Sequence, residues 1–213
     1  MCHDEQLTET AIIARVLAGE KTLYELIVRR FNSYLYKIGR SYNFNHEDTQ
    51  DLMQDTYVDA FKGLSQFEHY SSFKTWLIRI MLNNCYHKKQ KFSFKNEHAR
   101  EIKNEHLIPM FDHTEHDANK QIYNRELGQV IEKSLTQIPE DYRMVFSLRE
   151  MNGLNVAETA ELLQISPTNV KVRLNRAKSM LRKEIEKSYS VSELYEFNLI
   201  YCDAMVDRVL RKI

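Results

Sequence analysis

Residues 152–187 read NGLNVAETAELLQISPTNVKVRLNRAKSMLRKEIEK. Asn155 with Glu158 three positions on is a capping box, and it opens a helix to about Leu163. Beyond Gln164-Ile165, Ser166 is an N-cap and Pro167 takes the first helical position, which opens a second helix to about Lys187. Two helices joined by a three-residue turn form a helix-turn-helix. In the second helix Val170, Leu174, Ala177 and Leu181 share one narrow stripe, the buried side. Thr168, Val172, Asn175, Arg176 and Ser179 point away from it, with Asn169, Lys171 and Arg173 on the flanks. Short polar side chains near the helix start and cations along its outer side suit a DNA major groove, where amides and methyls meet base edges and cations meet phosphates. A solvated basic helix in a bundle would carry the same charges, but it would not need the capped turn.

Working outward, Ile138-Pro139 ends a preceding helix, because the residue before Pro disfavours the α region. Glu140 to Met151 then reads as a short helix stopped by Asn152-Gly153. Between about Phe92 and Gln121 the helical period fades and charge, Asn and His take over, so the stretch reads as a linker. Upstream of it, Leu23, Ile27, Phe31, Tyr34 and Ile38 recur at helical spacing, as do Met53, Tyr57, Ala60, Phe61 and Leu64. Phe73, Leu77, Ile80 and Asn84 make a third stripe, with Ile78 and Leu82 opposite, so that helix is expected to be buried on two sides. The 213 residues include only five Gly and three Pro, too few for an all-β chain. The fold expected is all-α: two small helical domains joined by a flexible linker.

Net charge is zero, with 30 Lys+Arg against 30 Asp+Glu, so bulk basicity offers no argument for nucleic acid. The charge is nonetheless segregated. Residues 41–61 hold five acids and no Lys or Arg, and residues 88–95 hold four lysines and no acid. Residues 104–117 are acidic and contain His106, His113 and His116, while residues 166–183 are basic and free of acids. Such blocks bear on partners more than the sum does. Three scattered cysteines with no CxxC pair argue against a disulfide framework or a zinc knuckle and for a reduced, cytoplasmic setting. The acidic N-terminus does not resemble a signal peptide, and no apolar run of about 18 residues is present to enter a membrane.

Asp48, Asp51, Asp55 and Asp59 fall on one side of their helix, within about 80° of one another, opposite the apolar stripe. They read as either a solvated face or a protein-docking face. No His or Glu-x-x-His accompanies them, so no metal site is assigned. From Phe67 to Phe94 aromatics alternate with cations, among them Tyr70, Trp76, Arg79, Tyr86, Lys88 and Lys89, a pattern that can stack unpaired bases inside a basic groove. Phe73 in this run is expected to be core. No catalytic constellation, glycine-rich phosphate loop or cofactor motif emerges, and each His reads as a surface residue.

These residues resemble bacterial RNA polymerase sigma factors of the extracytoplasmic-function (ECF) type, over roughly residues 10–187. Asp51-Leu52-Met53-Gln54-Asp55-Thr56-Tyr57 looks like the polymerase-docking motif of region 2.2. Phe73-Lys74-Thr75-Trp76-Leu77-Ile78-Arg79-Ile80, followed by Asn83, looks like regions 2.3 and 2.4. Ile138-Pro139, Arg143, Val145-Phe146, Leu148-Arg149-Glu150, Gly153, Glu158 and Ala160 look like region 4, as do Val170-Lys171, Arg173-Leu174 and Arg176-Ala177.

The resemblance implies region 2 over residues 1–95, a linker over 96–121, region 4 over 122–187 and a C-terminal extension over 188–213. It implies a transcription initiation factor, not an enzyme, needing no cofactor and no metal. Core RNA polymerase would meet Asp48, Asp51, Gln54, Asp55 and Tyr57. The −10 promoter element would meet Trp76, Arg79, Asn83, Tyr86, His87, Lys88 and Lys89. The −35 element would meet Ser166, Thr168, Asn169, Lys171, Val172, Arg173 and Arg176. An anti-sigma factor is a further partner of this family, and the free protein is expected to be monomeric.

The chain departs from the family pattern at His87 and Gln90, where Asp and Arg are common. It departs again at Gln164, where the turn usually has Gly, and at Thr168-Asn169, usually Gly-Thr. In the extension, Ser190 with Glu193 caps an expected helix whose apolar residues pack on the second domain. Two other readings stand beside this one: a helix-turn-helix regulator that binds duplex DNA without polymerase, and a metal-dependent nucleic-acid enzyme built on the acidic helix.

Overall fold

The computed structural model describes residues 7–95, 128–188 and 210–211. The linker acids and histidines, the side chains of Phe92 and Phe94, and the expected helix after Ser190 lie outside the described residues. Among the described residues there is no strand.

The first unit comprises α1 (Glu9–Leu17), α2 (Tyr24–Ser41), α3 (His46–Lys62) and α4 (Phe73–Lys95). Short 3₁₀ turns precede α2 at Lys21–Leu23 and follow α3 at Leu64–Gln66. Three of the four starts are marked by a capping side chain, the exception being α2. Thr8 caps α1 and Asn45 caps α3, their side chains accepting from Ala11 N–H and Asp48 N–H, while Ser72 Oγ accepts from Thr75 N–H ahead of α4. Ile27, Phe31, Leu35 and Ile38 form the buried ridge of α2. As its two-sided pattern predicts, α4 is enclosed: Phe73, Leu77, Ile78, Met81, Leu82 and Cys85 are all buried.

On α3 the inward face differs from the apolar stripe read in the sequence. Thr49, Leu52, Thr56, Tyr57 and Ala60 are buried, whereas Met53 is half-exposed and Phe61 is exposed. The reason is a close helix crossing that admits small residues, with Gly39 of α2 lying against Thr49. Thr56 enters the core because its hydroxyl donates to Leu52 O at 2.7 Å, which removes the cost of an unmet buried donor.

The second unit holds α5 (residues 128–136), α6 (Glu140–Phe146), α7 (Val156–Leu163) and α8 (Pro167–Ser188). Pro139 ends the run from α5 and serves as N-cap of α6. The helix expected to run on to Met151 instead widens into a π turn at Ser147–Met151. Its exit is tied by Asn152 N–H to Ser147 O at 2.9 Å, and Gly153 then takes φ +67°, a conformation that costs glycine little.

The two units share one core. Met144, Leu148 and Leu154 of the second unit are buried in the same apolar cluster as Ile27, Phe31 and Leu77 of the first. The Arg40–Glu132 ion pair at 2.7 Å crosses between them with side chains only 10% and 3% exposed. Arg143, also buried, donates to Ser41 O at the C-terminal end of α2 (2.6 Å) and to the carbonyl of Ile138 (2.7 Å). Burial lowers the pKa of Arg143 from its usual range, with the neighbouring Glu140 pulling the other way.

Candidate nucleic-acid and protein interfaces

The helix-turn-helix forms where the sequence places it. Asn155 Oδ1 accepts from Glu158 N–H at 2.9 Å, and Glu158 Oε2 accepts from Asn155 N–H at 2.8 Å, completing the capping box. The turn passes through Gln164 at φ +53°, ψ +44°, the left-handed conformation in which a Gly is usual. Ser166 Oγ accepts from Asn169 N–H at 3.2 Å at the start of α8. Val170, Ala177 and Leu181 are buried, so α8 is held by the face its periodicity marks.

Its outer face is open. Ser166, Thr168, Lys171, Val172, Asn175, Arg176 and Ser179 are exposed, with Val172 at 41%. Asn169 and Arg173 are half-buried at the edges. The cations differ in freedom. Arg173 pairs with Asp141 at 3.2 Å, Lys178 pairs with Glu150 at 2.9 Å, and Arg176 donates to Tyr142 OH at 3.4 Å. Lys171 makes no ion pair or hydrogen bond among the described residues.

On α3 the five expected docking residues separate into two groups. Asp51, Gln54 and Asp55 are exposed. Asp48 instead pairs with Lys88 at 2.7 Å, and so ties α3 to α4. Tyr57 is buried; its hydroxyl donates to Val28 O at 3.2 Å, and its ring meets Tyr24 edge-on at 6.5 Å. Burial raises the pKa of both phenols above the ordinary tyrosine value. Beside the acids runs an open apolar groove lined by Tyr24, Val28, Met53, Tyr57, Val58 and Phe61. Val58 and Phe61, 45% and 36% exposed, are interface candidates absent from the sequence reading. The available signal was their position: apolar residues on a face of α3 that the threonine-lined crossing leaves outside.

On α4, Asn83, Tyr86, His87 and Lys89 are exposed, Tyr86 at 54%. Asn83, Tyr86, His87 and Gln90 follow helical spacing, so they share one face, and Gln90 Nε2 donates to Tyr86 OH at 2.7 Å. Trp76 is half-buried, its ring 5.1 Å from Phe67 and 5.4 Å from Phe73. Arg79 pairs with Glu161 and Lys89 with Glu140, both across to the second unit. Lys88 is committed to Asp48 and lies over the Phe44 ring at 5.9 Å. Behind this surface burial pushes the Cys85 thiol up to about 12, so it offers no nucleophile.

Comparison with known proteins agrees with this layout. The family model for sigma-70 region 2 matches residues 27–92, and that for sigma-70 region 4 matches residues 128–181. The ECF RNA polymerase sigma-E factor of Haemophilus influenzae is 27% identical over 192 residues, covering 85% of this chain and 97% of the relative. Its counterpart in Escherichia coli is 26% identical over 189 residues, covering 85% and 96%. The fold is shared with CnrH, solved in complex with the cytosolic domain of CnrY, at TM-score 0.58, 21% identity and coverage of 84% and 97%. It is shared also with the sigma factor RpoE of Bartonella quintana, solved in complex with the anti-sigma factor NepR, at TM-score 0.60, 21% identity and coverage of 78% and 98%. Region 2 falls on α2–α4 and region 4 on α5–α8, and together they take in more than half of the sequence: the chain belongs to the sigma-70 family of RNA polymerase sigma factors, as a member of the extracytoplasmic-function type.

Proposed function

We propose that this protein binds core RNA polymerase and directs it to particular promoters, helping to melt the −10 element. The observation that carries the reading is the pairing, in one chain, of an open helix-turn-helix face with a separate helical unit of family-matched sequence. Asp51, Gln54 and Asp55 supply charge to the polymerase contact, and Met53, Val58 and Phe61 supply its apolar part. Asp48 and Tyr57 act from behind, holding α3 against α4 and α2.

The exposed face of α4 takes the displaced −10 strand. Tyr86 offers a stacking surface, Asn83 and His87 hydrogen bonds, and Lys89 a phosphate contact, while Lys88, paired with Asp48, adds positive charge at the edge of the face. Trp76 and Arg79 form its upper edge. In the −35 major groove Thr168, Asn169 and Val172 meet base edges, while Ser166, Lys171, Arg173 and Arg176 meet the backbone. The factor works by binding, without turnover, and is placed in the cytoplasm with the polymerase. An anti-sigma factor is the partner class suggested by the complex of the Bartonella relative.

Run-off transcription with purified core polymerase is the direct test. Polymerase-dependent initiation at defined promoters is expected. Tight, sequence-specific duplex binding by the free protein that polymerase does not alter would instead identify a stand-alone regulator.

A further inference from the structure

The acids of the second unit divide by direction. Glu132, Glu140 and Glu161 pair with Arg40, Lys89 and Arg79 of the first unit, and Glu158 of α7 accepts from the Thr75 hydroxyl. Asp141 and Glu150 turn the other way and meet cations of α8, Arg173 at 3.2 Å and Lys178 at 2.9 Å. Beside Asp141 in the chain, Tyr142 packs against the apolar cluster of Leu135, Ile138 and Leu181, and its hydroxyl accepts from Arg176 at 3.4 Å. Two consecutive residues in the first turn of α6 thus hold both arginines assigned to the −35 element. Neither is itself among the side chains assigned to that element.

An acid beside a DNA-binding helix is costly unless it acts through a cation. The Asp141 side chain is 70% exposed and that of Arg173 is 24% exposed, so water screens their pair and it adds little to stability. Among the described residues the carboxylate has no second partner. Facing a phosphate backbone, such a charge by itself would only repel.

The geometry of the arginine fork offers another outcome. A guanidinium carries five N–H donors in one plane. Asp141 engages Nη2, which leaves Nε and Nη1 to donate, so Arg173 can hold Asp141 and a phosphate at once. Tyr142 acts alike: its hydroxyl accepts from Arg176 Nη1 and keeps its own proton to donate. A long side chain free to swing loses that freedom when it binds, whereas one already held has lost it on folding. Arg173 and Arg176 lie three positions apart, so α6 braces neighbouring cations on one side of α8.

We propose that Asp141 and Tyr142 are positioning residues for the −35 element: α6 holds Arg173 and Arg176 in the orientation they use on the DNA backbone. The proposal rests on the assignment of α8 to the −35 major groove. It fixes the sign of the Asp141 effect. With Arg173 present, orientation outweighs the repulsion between Asp141 and phosphate. Without Arg173, only the repulsion remains.

The experiment is a double-mutant cycle in the holoenzyme, read as affinity for a promoter duplex that the wild-type holoenzyme selects from a randomised −35 pool. Asp141→Asn removes the charge at nearly constant shape, and Arg173→Met removes the fork but keeps an unbranched stem. Asp141→Asn should weaken binding about threefold beside Arg173, the effect of one exposed charge pair, and should not weaken it in Arg173→Met. Asp141→Glu, which keeps the charge, should retain most of the affinity. Tyr142→Phe keeps the ring in its cluster; it should cost about twofold beside Arg176 and nothing in Arg176→Met. Stronger binding by Asp141→Asn with Arg173 intact would make Asp141 a plain repulsive charge, and equal losses in both backgrounds would make it a structural residue. Either result overturns the proposal. A holoenzyme that selects no duplex removes the −35 assignment and the proposal with it, whereas selection without the change of sign removes the proposal alone.

Discussion

Gly39 of α2 and Thr49 of α3 meet with no room for a side chain between them: a β-carbon on Gly39 would lie 2.5 Å from Thr49 Cγ2 and 3.2 Å from Met81 Cε. Gly39→Ala should therefore destabilise the protein by about 1–3 kcal/mol through overpacking, even though Ala is the better helix former by about 1 kcal/mol. Thr49→Ala opens the missing space, so the double variant should recover part of the loss and depart from additivity. Urea midpoints of the four proteins check this. Additive effects would mean that the two residues do not constrain one another.

The two ends of α7 carry opposite expectations. Gln164 holds a left-handed conformation, so Gln164→Gly should gain about 0.5 kcal/mol after losing the side-chain bond to Glu161 O. Asn155→Ala should lose about 1 kcal/mol with the capping box. Thermal melts under identical buffer show both signs.

The acids of α3 should respond differently to the same change. Asp55→Lys alters an exposed position and should leave stability within about 0.5 kcal/mol while weakening core-polymerase binding. Asp48→Lys breaks the pair with Lys88 and should lower the melting temperature as well. Polymerase affinity read beside circular dichroism separates them; equal polymerase affinity in wild type and Asp55→Lys would remove Asp55 from the interface.

On α8, Lys171 is expected to contribute a phosphate contact at the least internal cost, having no ion pair to surrender among the described residues. Lys171→Ala should weaken holoenzyme binding across promoters and reduce the salt slope by about one ion. Val172, apolar and 41% exposed, suits a thymine methyl, so Val172→Asn should change the preferred sequence more than the affinity. Salt titrations and a randomised −35 library give the two readouts.

Cys85 should make stability fall in alkali. Burial raises its folded pKa to about 12, above the value of 9.0 for a free thiol, despite the opposing pull of Lys88. The folded state thus favours the protonated thiol. Its contribution is complete below about pH 9 and is lost as pH climbs toward 12. Cys85→Ala should remove that part of the alkaline decline. In the native protein Cys85 should resist a thiol reagent at pH 8 and react after unfolding.

Local chemistry made much of this fold legible in the residues themselves. Asn155, Glu158, Ser166 and Pro167 mark helix ends through short-range bonds, and the structure has those ends. The two-sided pattern of α4 likewise announced its enclosure. The face of α3 did not follow from hydropathy, because Thr49 and Thr56 are buried by close packing and a backbone bond while Met53 and Phe61 remain outside. Nor could periodicity reveal that Asp48, Arg79 and Lys89 are paired: their partners lie 40, 82 and 51 positions away. Acid, cation and aromatic patterns show which chemistry a surface can offer. Which of those groups is free depends on distant segments.

The π turn at Ser147–Met151 has a consequence for how this chain can change over time. Its bonds span five residues instead of four, so it holds one residue more than an ordinary turn at that point. Each residue of helix contributes about 100° of rotation. Deleting one residue there would regularise the helix and at the same time swing everything downstream about its axis, carrying α7 off Thr75 and turning the outer side of α8 to a new bearing. Insertions and deletions in this segment are therefore constrained by phase as much as by size.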